Sequence, residues 1–197
     1  PQDGRRISYL LQGQVGPTFI PVEFGVGIKM LAGAISTAFQ VAPREVERRF
    51  KKAGDYGLVA ESFTDKMSGS RSIENVFESL ECIARTSGAG SVERKILQIS
   101  DLIRSMGSLE NRYFARILIE KLRLGVGDPT IIDALSFARV GNKADSADVE
   151  RAYNRTSDLG LVAEQYLFAG LSGLEAMQVE VGNPVRMAQA ARLSSGM

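Results

Sequence analysis

The chain has 197 residues, of which 44% are hydrophobic and 24% charged, a composition typical of a globular protein with a buried core. A formal net charge of +1 gives no sign of a strongly basic nucleic-acid-binding protein, although a local basic patch can still provide such a surface. The lack of histidine and the single cysteine, Cys82, exclude histidine-dependent catalytic triads, zinc sites built on cysteine or histidine, and an internal disulfide.

The first third of the chain has helical patterns separated by glycine and proline. A first helix is predicted from about Ile7, and residues 12–23, with two glycines and two prolines, are predicted to be an irregular connection. Hydrophobic residues at spacings of three and four predict a helix directly after Gly27. Pro43 is predicted to begin the next helix, where its missing amide costs nothing, and a glycine at position 54 or 57 to end it.

The middle of the chain begins with a candidate linker at residues 64–72, followed by longer amphipathic helices. Cys82 lies among hydrophobic residues of the first of these helices, so it is predicted to be a small core residue. Ser91 is predicted to cap the next helix. The apolar pattern from Leu109 to Leu122 predicts a further helix that runs directly into a Gly-Val-Gly sequence at residues 125–127.

The last third starts with Asp128 and Pro129, a strong helix-start signal in which the aspartate is predicted to cap the helix. Further helices are predicted at about residues 147–153 and 159–168, and residues 179–181 look like a short extended segment. Almost no stretch alternates with period two. The predicted fold class is therefore all-α, with helix pairs joined by short glycine turns.

Two blocks of sequence occur twice in the same order. The Gly-Val-Gly sequence at residues 25–27 recurs 100 residues later at 125–127, and the pattern of residues 45–61 recurs 103 residues later at 148–164. This predicts a tandem duplication with a first unit at about residues 1–66 and a second at about 67–178. Because fewer residues precede the first copy than the second, we expect N-terminal helices of the first unit to be missing.

The glycine turns are the candidate functional feature. Glycine allows the backbone to approach another molecule closely, and the helix that follows presents unpaired amides that suit a phosphate. Helix-hairpin-helix DNA-binding motifs use this arrangement, whereas a tight turn that merely lets two helices touch is the structural alternative. Two copies favour binding, because two backbone cradles can grip two sites along a duplex.

Charge around the second turn is compatible with this interpretation, since residues 112–130 carry a surplus of two positive charges. If Asp128 caps its helix, the glycines remain free to contact sugar or phosphate atoms, contacts that position a protein without reading sequence. For Arg94 and Lys95 an ordinary exposed helix face is the alternative. The candidate DNA-binding residues are Gly25, Val26, Gly27, Lys29, Arg94, Lys95, Arg123, Gly125, Val126, Gly127 and Thr130.

The stretch from Ile73 to Ala138, with Thr-Ser-Gly-Ala-Gly-Ser at residues 86–91 and Lys-Leu-Arg-Leu-Gly-Val-Gly-Asp-Pro-Thr at 121–130, resembles the N-terminal DNA-binding domain of ATP-dependent DNA ligases of the archaeal and eukaryotic type. Residues 9–13 and 25–29 resemble motifs of the first half of that domain. The resemblance implies a helical DNA-binding domain at residues 1–178 and, at 179–197, a linker leading into the adenylation domain.

The resemblance further implies non-sequence-specific binding of nicked double-stranded DNA through the backbone and minor groove. The parent ligase would use ATP and Mg²⁺, act in DNA replication, repair and recombination, and work with its own adenylation and OB-fold domains, with a sliding clamp as a further candidate partner. The chain itself contains no Lys-x-Asp-Gly motif, so we expect it to be inactive alone and to need no cofactor. No membrane partner is expected, because no apolar run is long enough for a span and no signal peptide is recognisable. The expected location is the cytoplasm, at the nucleoid, in an archaeon and the nucleus in a eukaryote.

Two other functional classes remain open from the residues. A helix-hairpin-helix repair enzyme such as a glycosylase would carry a catalytic aspartate or lysine just after the hairpin, where Asp128 stands. A helical scaffold that binds protein would explain the duplication equally well. Binding of nicked duplex that weakens with salt and hardly depends on sequence distinguishes the ligase interpretation from both.

Overall fold

The computed structural model describes residues 2–20, 22–65, 69 and 71–186, and this part of the chain contains helices and no strand. The predicted all-α class is therefore confirmed. The helices are α1 (Gln2–Leu11), α2 (Ile28–Phe39), α3 (Pro43–Ala53), α4 (Tyr56–Ser62), α5 (Ile73–Arg85), α6 (Ser91–Ser105), α7 (Ser108–Leu118), α8 (Asp128–Val140), α9 (Ser146–Thr156), α10 (Leu159–Ala169) and α11 (Leu171–Ala176). None of these helices has both the length and the apolar character that crossing a membrane requires.

The chain divides into two compact units. The α2–α7 unit comprises Tyr9–Gly16 and Pro21–Val126, and the α8–α11 unit comprises Pro1–Ser8, Pro17–Ile20 and Gly127–Met197. This division does not coincide with the sequence repeat, whose predicted boundary is at about residue 66. The reason is packing, since α4 lies against α7 and α2 against α6, so helices on both sides of residue 66 share one core.

The core of the α2–α7 unit forms where the apolar faces of its helices meet. Leu31 and Ile35 of α2 and Ile99 and Ile103 of α6 are all fully buried in it. Helix α4 comes close to α7 at Gly57, where a Cβ atom would lie 2.5 Å from the backbone oxygen of Arg112. A larger residue at position 57 would therefore force the two helices apart.

The α8–α11 unit is built around buried aromatic residues whose hydroxyl groups are satisfied. Tyr153 and Tyr166 are almost fully buried, and their hydroxyls donate hydrogen bonds to Asp128 and Asp145 at 2.8 and 2.7 Å. Burial, together with the neighbouring Asp145 carboxylate, raises the pKa of Tyr166 to about 12. The Tyr166 phenol therefore remains a protonated donor, and the hydroxyls of both buried tyrosines have hydrogen-bond partners, as is usual for this residue.

Corresponding positions of the two sequence copies make the same local contacts. Ser36 and Ser136 each donate to a carbonyl beyond the end of their helix, that of Val41 at 2.6 Å and that of Asn142 at 2.8 Å. Asp55 accepts the amide of Leu58, and the aspartate 103 positions later likewise caps its helix through the amide of Leu161. The helices α2, α3 and α4 thus have the same order as α8, α9 and α10, while the duplication itself stays a prediction.

Several predicted boundaries are confirmed. A helix begins immediately after Gly27, Pro43 is the first residue of α3, and Gly54 ends α3 with a left-handed φ of 67°. Residues 179–181 form no strand and continue an irregular segment. Parts of the predicted linker at 64–72, and the end of the segment likened to an adenylation-domain entry, lie outside the described residues.

The prediction that a helix runs from Leu109 into the Gly-Val-Gly sequence is wrong. Helix α7 ends at Leu118, where Glu120 adopts a left-handed φ of 55° and the amide of Lys121 returns to the carbonyl of Arg116 at 2.8 Å. This hydrogen bond closes the helix in the manner of a Schellman motif. Residues 121–127 consequently have no regular secondary structure.

Two single-residue predictions are also wrong. Gly90, with a φ of 70°, is the N-cap of α6, so Ser91 is the first helical residue and makes no side-chain cap. Cys82 is exposed, because it lies on the solvent face of α5 between the buried residues Leu80 and Ile83. One turn of a helix exposes some of its positions even within a predominantly apolar stretch.

Candidate nucleic-acid interface

In the first glycine turn, two buried apolar side chains anchor an exposed stretch of backbone. Phe24 and Val26 are buried, while Gly25 and Gly27 between and after them are exposed. Gly25 has a φ of 59°, a left-handed conformation that favours glycine. The alternation of buried and exposed positions presents the backbone of the turn to solvent while anchoring it in the core.

Helix α2 begins at the end of this turn without a side-chain cap. Gly27 is its N-cap residue and offers no acceptor for the amides of the first helical turn. These amides carry the partial positive charge of the helix N-terminus, to which an external anion can bind. Lys29 is exposed within the same first turn, so its ammonium adds positive charge there.

Lys95 lies behind the first turn and not on an open helix face. It is 7% exposed, and its Nζ donates a hydrogen bond to the carbonyl of Phe24 at 2.5 Å. A Cβ atom on Gly25 would lie 3.1 Å from this Nζ. Burial lowers the pKa of Lys95 below its usual value. The structure therefore brings Gly25 and Lys95 together, two predicted residues that are far apart in sequence.

The second glycine turn is more open than the first. Arg123 and Gly125 have left-handed φ angles of 52° and 67°, and no atom lies within 4 Å of the position that a Cβ on Gly125 would take. Val126, unlike its buried counterpart Val26, is 36% exposed. This turn accordingly presents an uncovered backbone, and the exposed guanidinium of Arg123 belongs to the same segment.

Sequence reasoning did not find the residue that holds Arg123. Asp55 accepts hydrogen bonds from Arg116 at 3.2 Å and lies 3.8 Å from the guanidinium of Arg123. Burial by itself raises the pKa of the Asp55 carboxyl, but the bond from Arg116 and the amide of Leu58 outweigh it and lower the pKa. Asp55 is thus charged and fixed, and the only sequence signal for it was its place in the repeated block.

The prediction that Asp128 caps α8 is wrong. Gly127 is the N-cap residue, Asp128 is the first residue of the helix, and no side chain makes a capping hydrogen bond there. The Asp128 carboxylate accepts instead from Tyr153 at 2.8 Å and from Arg186 at 3.1 Å. Its negative charge is therefore paired with a guanidinium at the start of α8.

The remaining predicted residues are all exposed but differ in their contacts. The guanidinium of Arg94 folds back and donates to the carbonyls of Ala89 and Ser87 at 2.8 and 2.9 Å. Gly127 and Thr130 flank the start of α8 and belong to the α8–α11 unit. Across the described ranges, no group of three or more histidine, cysteine, aspartate or glutamate side chains is placed to hold a metal ion.

Comparison with known proteins places this arrangement in a family. The family described as "DNA ligase N terminus" matches residues 1–136, well over half of the chain. The chain belongs to the DNA ligase N-terminus family. The resemblance recognised from the sequence is thereby confirmed, because the matched residues include both glycine turns and the start of α8.

Individual relatives agree with the family assignment. This ligase N-terminal chain is 41% identical to a probable DNA ligase of Dictyoglomus thermophilum, over 96% of the chain and 32% of the relative. It is 36% identical to DNA ligase 2 of Korarchaeum cryptofilum, over 96% of the chain and 33% of that protein, and 34% identical to the DNA ligase of Saccharolobus shibatae, over 96% and 34%. The chain therefore spans about a third of the length of the curated relatives it matches.

Proposed function

We propose that this chain binds nicked double-stranded DNA without sequence specificity, as the DNA-binding domain of an ATP-dependent DNA ligase. Membership in the DNA ligase N-terminus family supports the ligase context. The observation that carries the binding role is the pair of exposed glycine turns, at Gly25 and at Gly125, each with a left-handed glycine and an accessible backbone. Such backbone suits contact with sugar and phosphate groups.

The chemistry of both turns favours phosphate over base recognition. Amide groups, Lys29 and Arg123 are hydrogen-bond donors that fit phosphate oxygens, and contacts to phosphate carry no direct sequence information. Binding dominated by such contacts depends on salt because each neutralised phosphate releases counterions. A ligase that seals nicks in any sequence requires this kind of recognition.

The chemical steps belong, in this proposal, to other domains of the parent protein. The chain has no Lys-x-Asp-Gly motif that could accept adenylate from ATP. The parent ligase would form lysyl-adenylate from ATP with release of pyrophosphate and transfer the AMP to the 5′-phosphate of the nick. It would then join that phosphate to the 3′-hydroxyl with release of AMP, aided by Mg²⁺. The adenylation and OB-fold domains are the partners within the same protein, and a sliding clamp is a further candidate.

Asp128 gives a reason to prefer this role over a helix-hairpin-helix repair enzyme. An enzyme of that class would need a catalytic carboxylate after the hairpin that faces its substrate. Asp128 instead accepts hydrogen bonds at Oδ2 from Tyr153 of α9 and from Arg186 after α11, which join it to two other parts of its unit. Its contacts support a structural role, and the proposal assigns it no chemistry.

Fluorescence anisotropy with labelled duplexes tests the proposal. Nicked duplexes of two unrelated sequences, and an intact duplex, are titrated with the chain over a series of salt concentrations. We expect nearly equal affinity for both sequences and a linear fall of log K with log salt, with a slope of about −0.9 for each phosphate contacted. The proposal fails if no binding is measurable at low salt or if affinity follows the base sequence.

A further inference from the structure

Lys95 is a cation whose surroundings do not neutralise it. A lysine ammonium has three donor hydrogens, and among the residues that the structure describes the carbonyl of Phe24 is the acceptor within hydrogen-bonding distance of Nζ. Burial alone lowers the pKa of Lys95, and no neighbouring carboxylate in the described part of the chain raises it. Lys95 is 7% exposed as a residue, so most of its side chain is out of contact with water. Such burial of a cation costs free energy unless an opposite charge compensates it.

The position of the ammonium adds a second reason for glycine at residue 25, besides its left-handed φ. The Cβ of any other residue would lie 3.1 Å from Nζ, so its side chain would cover the ammonium on the side of the exposed turn. Gly25, which has no side chain and is exposed, leaves that approach open. A buried cation lies directly beneath an exposed backbone surface with no side chain between them.

We propose that Lys95 supplies the positive charge of a phosphate site at the Gly25 turn, in which one DNA backbone phosphate is the missing counter-ion of its ammonium. This inference rests on the proposed DNA-binding function and names the site within it. The ammonium acts from behind the turn, through the opening that Gly25 leaves, and the start of α2, which has no side-chain cap, follows two residues later in the chain. Interaction with a poorly hydrated charge is stronger than with a surface lysine, because water screens it less.

Lys95 also holds the turn in place, so its test must separate charge from structure. Its hydrogen bond to Phe24 is a buried side-chain link from α6 to the α2 region, and a second such link runs from Ser100 Oγ to the carbonyl of Ala34 at 2.9 Å. Lys95→Met removes the charge at similar length. Ser100→Ala removes the second link and leaves the charge, which makes it the matched control.

The first measurement is the salt dependence of binding to nicked duplex for the wild-type chain and both variants, with circular dichroism to verify folding. We expect Lys95→Met to weaken binding at low salt by about tenfold or more and to reduce the magnitude of the salt slope by about 0.9. Ser100→Ala should leave the slope unchanged. Equal slopes for the wild-type chain and Lys95→Met would overturn the inference.

The second measurement follows the ammonium itself in the full chain with isotope-labelled lysine. Burial holds the pKa of Lys95 below 10.5 in the free chain, and a bound phosphate favours the charged form. Saturation with nicked duplex should therefore raise this pKa, as read from the NMR shift of the carbon bonded to Nζ. A pKa that does not move on saturation would refute the Lys95 site.

The two proposals fail in different ways. Absence of binding by the wild-type chain removes the DNA-binding function. Normal wild-type binding with an unchanged slope in Lys95→Met and an unmoved pKa removes only the site at the Gly25 turn.

Discussion

Tyr153 donates a hydrogen bond to Asp128 at 2.8 Å and thereby ties α9 to the first residue of α8. The guanidinium of Arg186 joins the same carboxylate at 3.1 Å and stacks over the Tyr153 ring at 4.4 Å. A capping aspartate would have satisfied helix amides, whereas this one joins a helix start to a second helix and to the segment after α11. The difference can be measured.

Asp128→Asn distinguishes the two roles, because asparagine is as good an N-cap as aspartate but carries no charge. We expect the variant to lose about 1.5–3 kcal/mol of unfolding free energy, the range for hydrogen bonds to charged groups. Tyr153→Phe should lose a similar amount, and the double variant less than the sum, as measured by urea unfolding. A stability for Asp128→Asn equal to wild type would restore the capping interpretation.

Gly125→Ala and Gly54→Ala form a matched pair, since both glycines have a φ of 67° and no atom within 4 Å of the added Cβ. Each substitution should cost about 1–2 kcal/mol of unfolding free energy, because alanine is strained in the left-handed region. Only Gly125→Ala should also weaken binding to nicked duplex. The same loss of affinity in both variants would show that the second turn is merely structural.

Asp55→Asn should change the acid dependence of stability. The pKa of Asp55 is lowered below 3.8 in the folded chain, so its contribution is present above that value and is lost as the pH falls through the folded pKa. The asparagine keeps an oxygen that can cap Leu58 but loses the negative charge that pairs with Arg116. We expect the variant to be about 1.5–3 kcal/mol less stable at neutral pH. The difference in unfolding free energy between the variant and the wild type should disappear in acid.

Urea unfolding of both chains across this pH range is the measurement. Glu45→Gln is the surface control, because its pKa is lowered to about 2 by hydrogen bonds from Arg48 and Arg49 on an exposed helix face. Water screens that cluster, so its removal should change stability much less. A gap between wild type and Asp55→Asn that stays constant in acid would contradict the assignment.

Gly57→Ala and Gly33→Ala should have opposite effects. The Cβ of residue 57 would lie 2.5 Å from the carbonyl oxygen of Arg112, so α4 and α7 must separate, at a cost of about 1–3 kcal/mol. The Cβ of residue 33 would meet Ile96 at an ordinary 3.7 Å within α2, where alanine gains up to about 1 kcal/mol over glycine. Thermal unfolding should show a lower melting temperature than wild type for Gly57→Ala and a higher one for Gly33→Ala.

Local signals in the sequence were sufficient for much of the fold. Helix α3 begins at Pro43 and is ended by Gly54, as predicted. The fixed φ of proline and the ease with which glycine adopts a left-handed φ are properties of these residues themselves. The family resemblance likewise followed from a continuous string of residues. Such features need no knowledge of which helices meet.

The remaining features depend on contacts between distant residues. The apolar pattern continues to Leu122, yet α7 stops at Leu118 because Glu120 turns left-handed and closes the helix. The sequence around Lys95 is typical of an exposed lysine on a helix. Its hydrogen bond to Phe24, 71 positions away, shows that it instead lies in the interior. Spacing along one helix contains no information about such a partner.

Cys82, on the exposed face of α5, makes the natural chain ready for labelling. It is the one cysteine in the sequence and its side chain reaches solvent, with the amide of Gln98 at 3.3 Å from its sulfur. A thiol-reactive fluorophore can therefore be attached at a single known position without any substitution. Every variant above can then be titrated with unlabelled DNA, and the fluorescence of the dye on the protein measures binding.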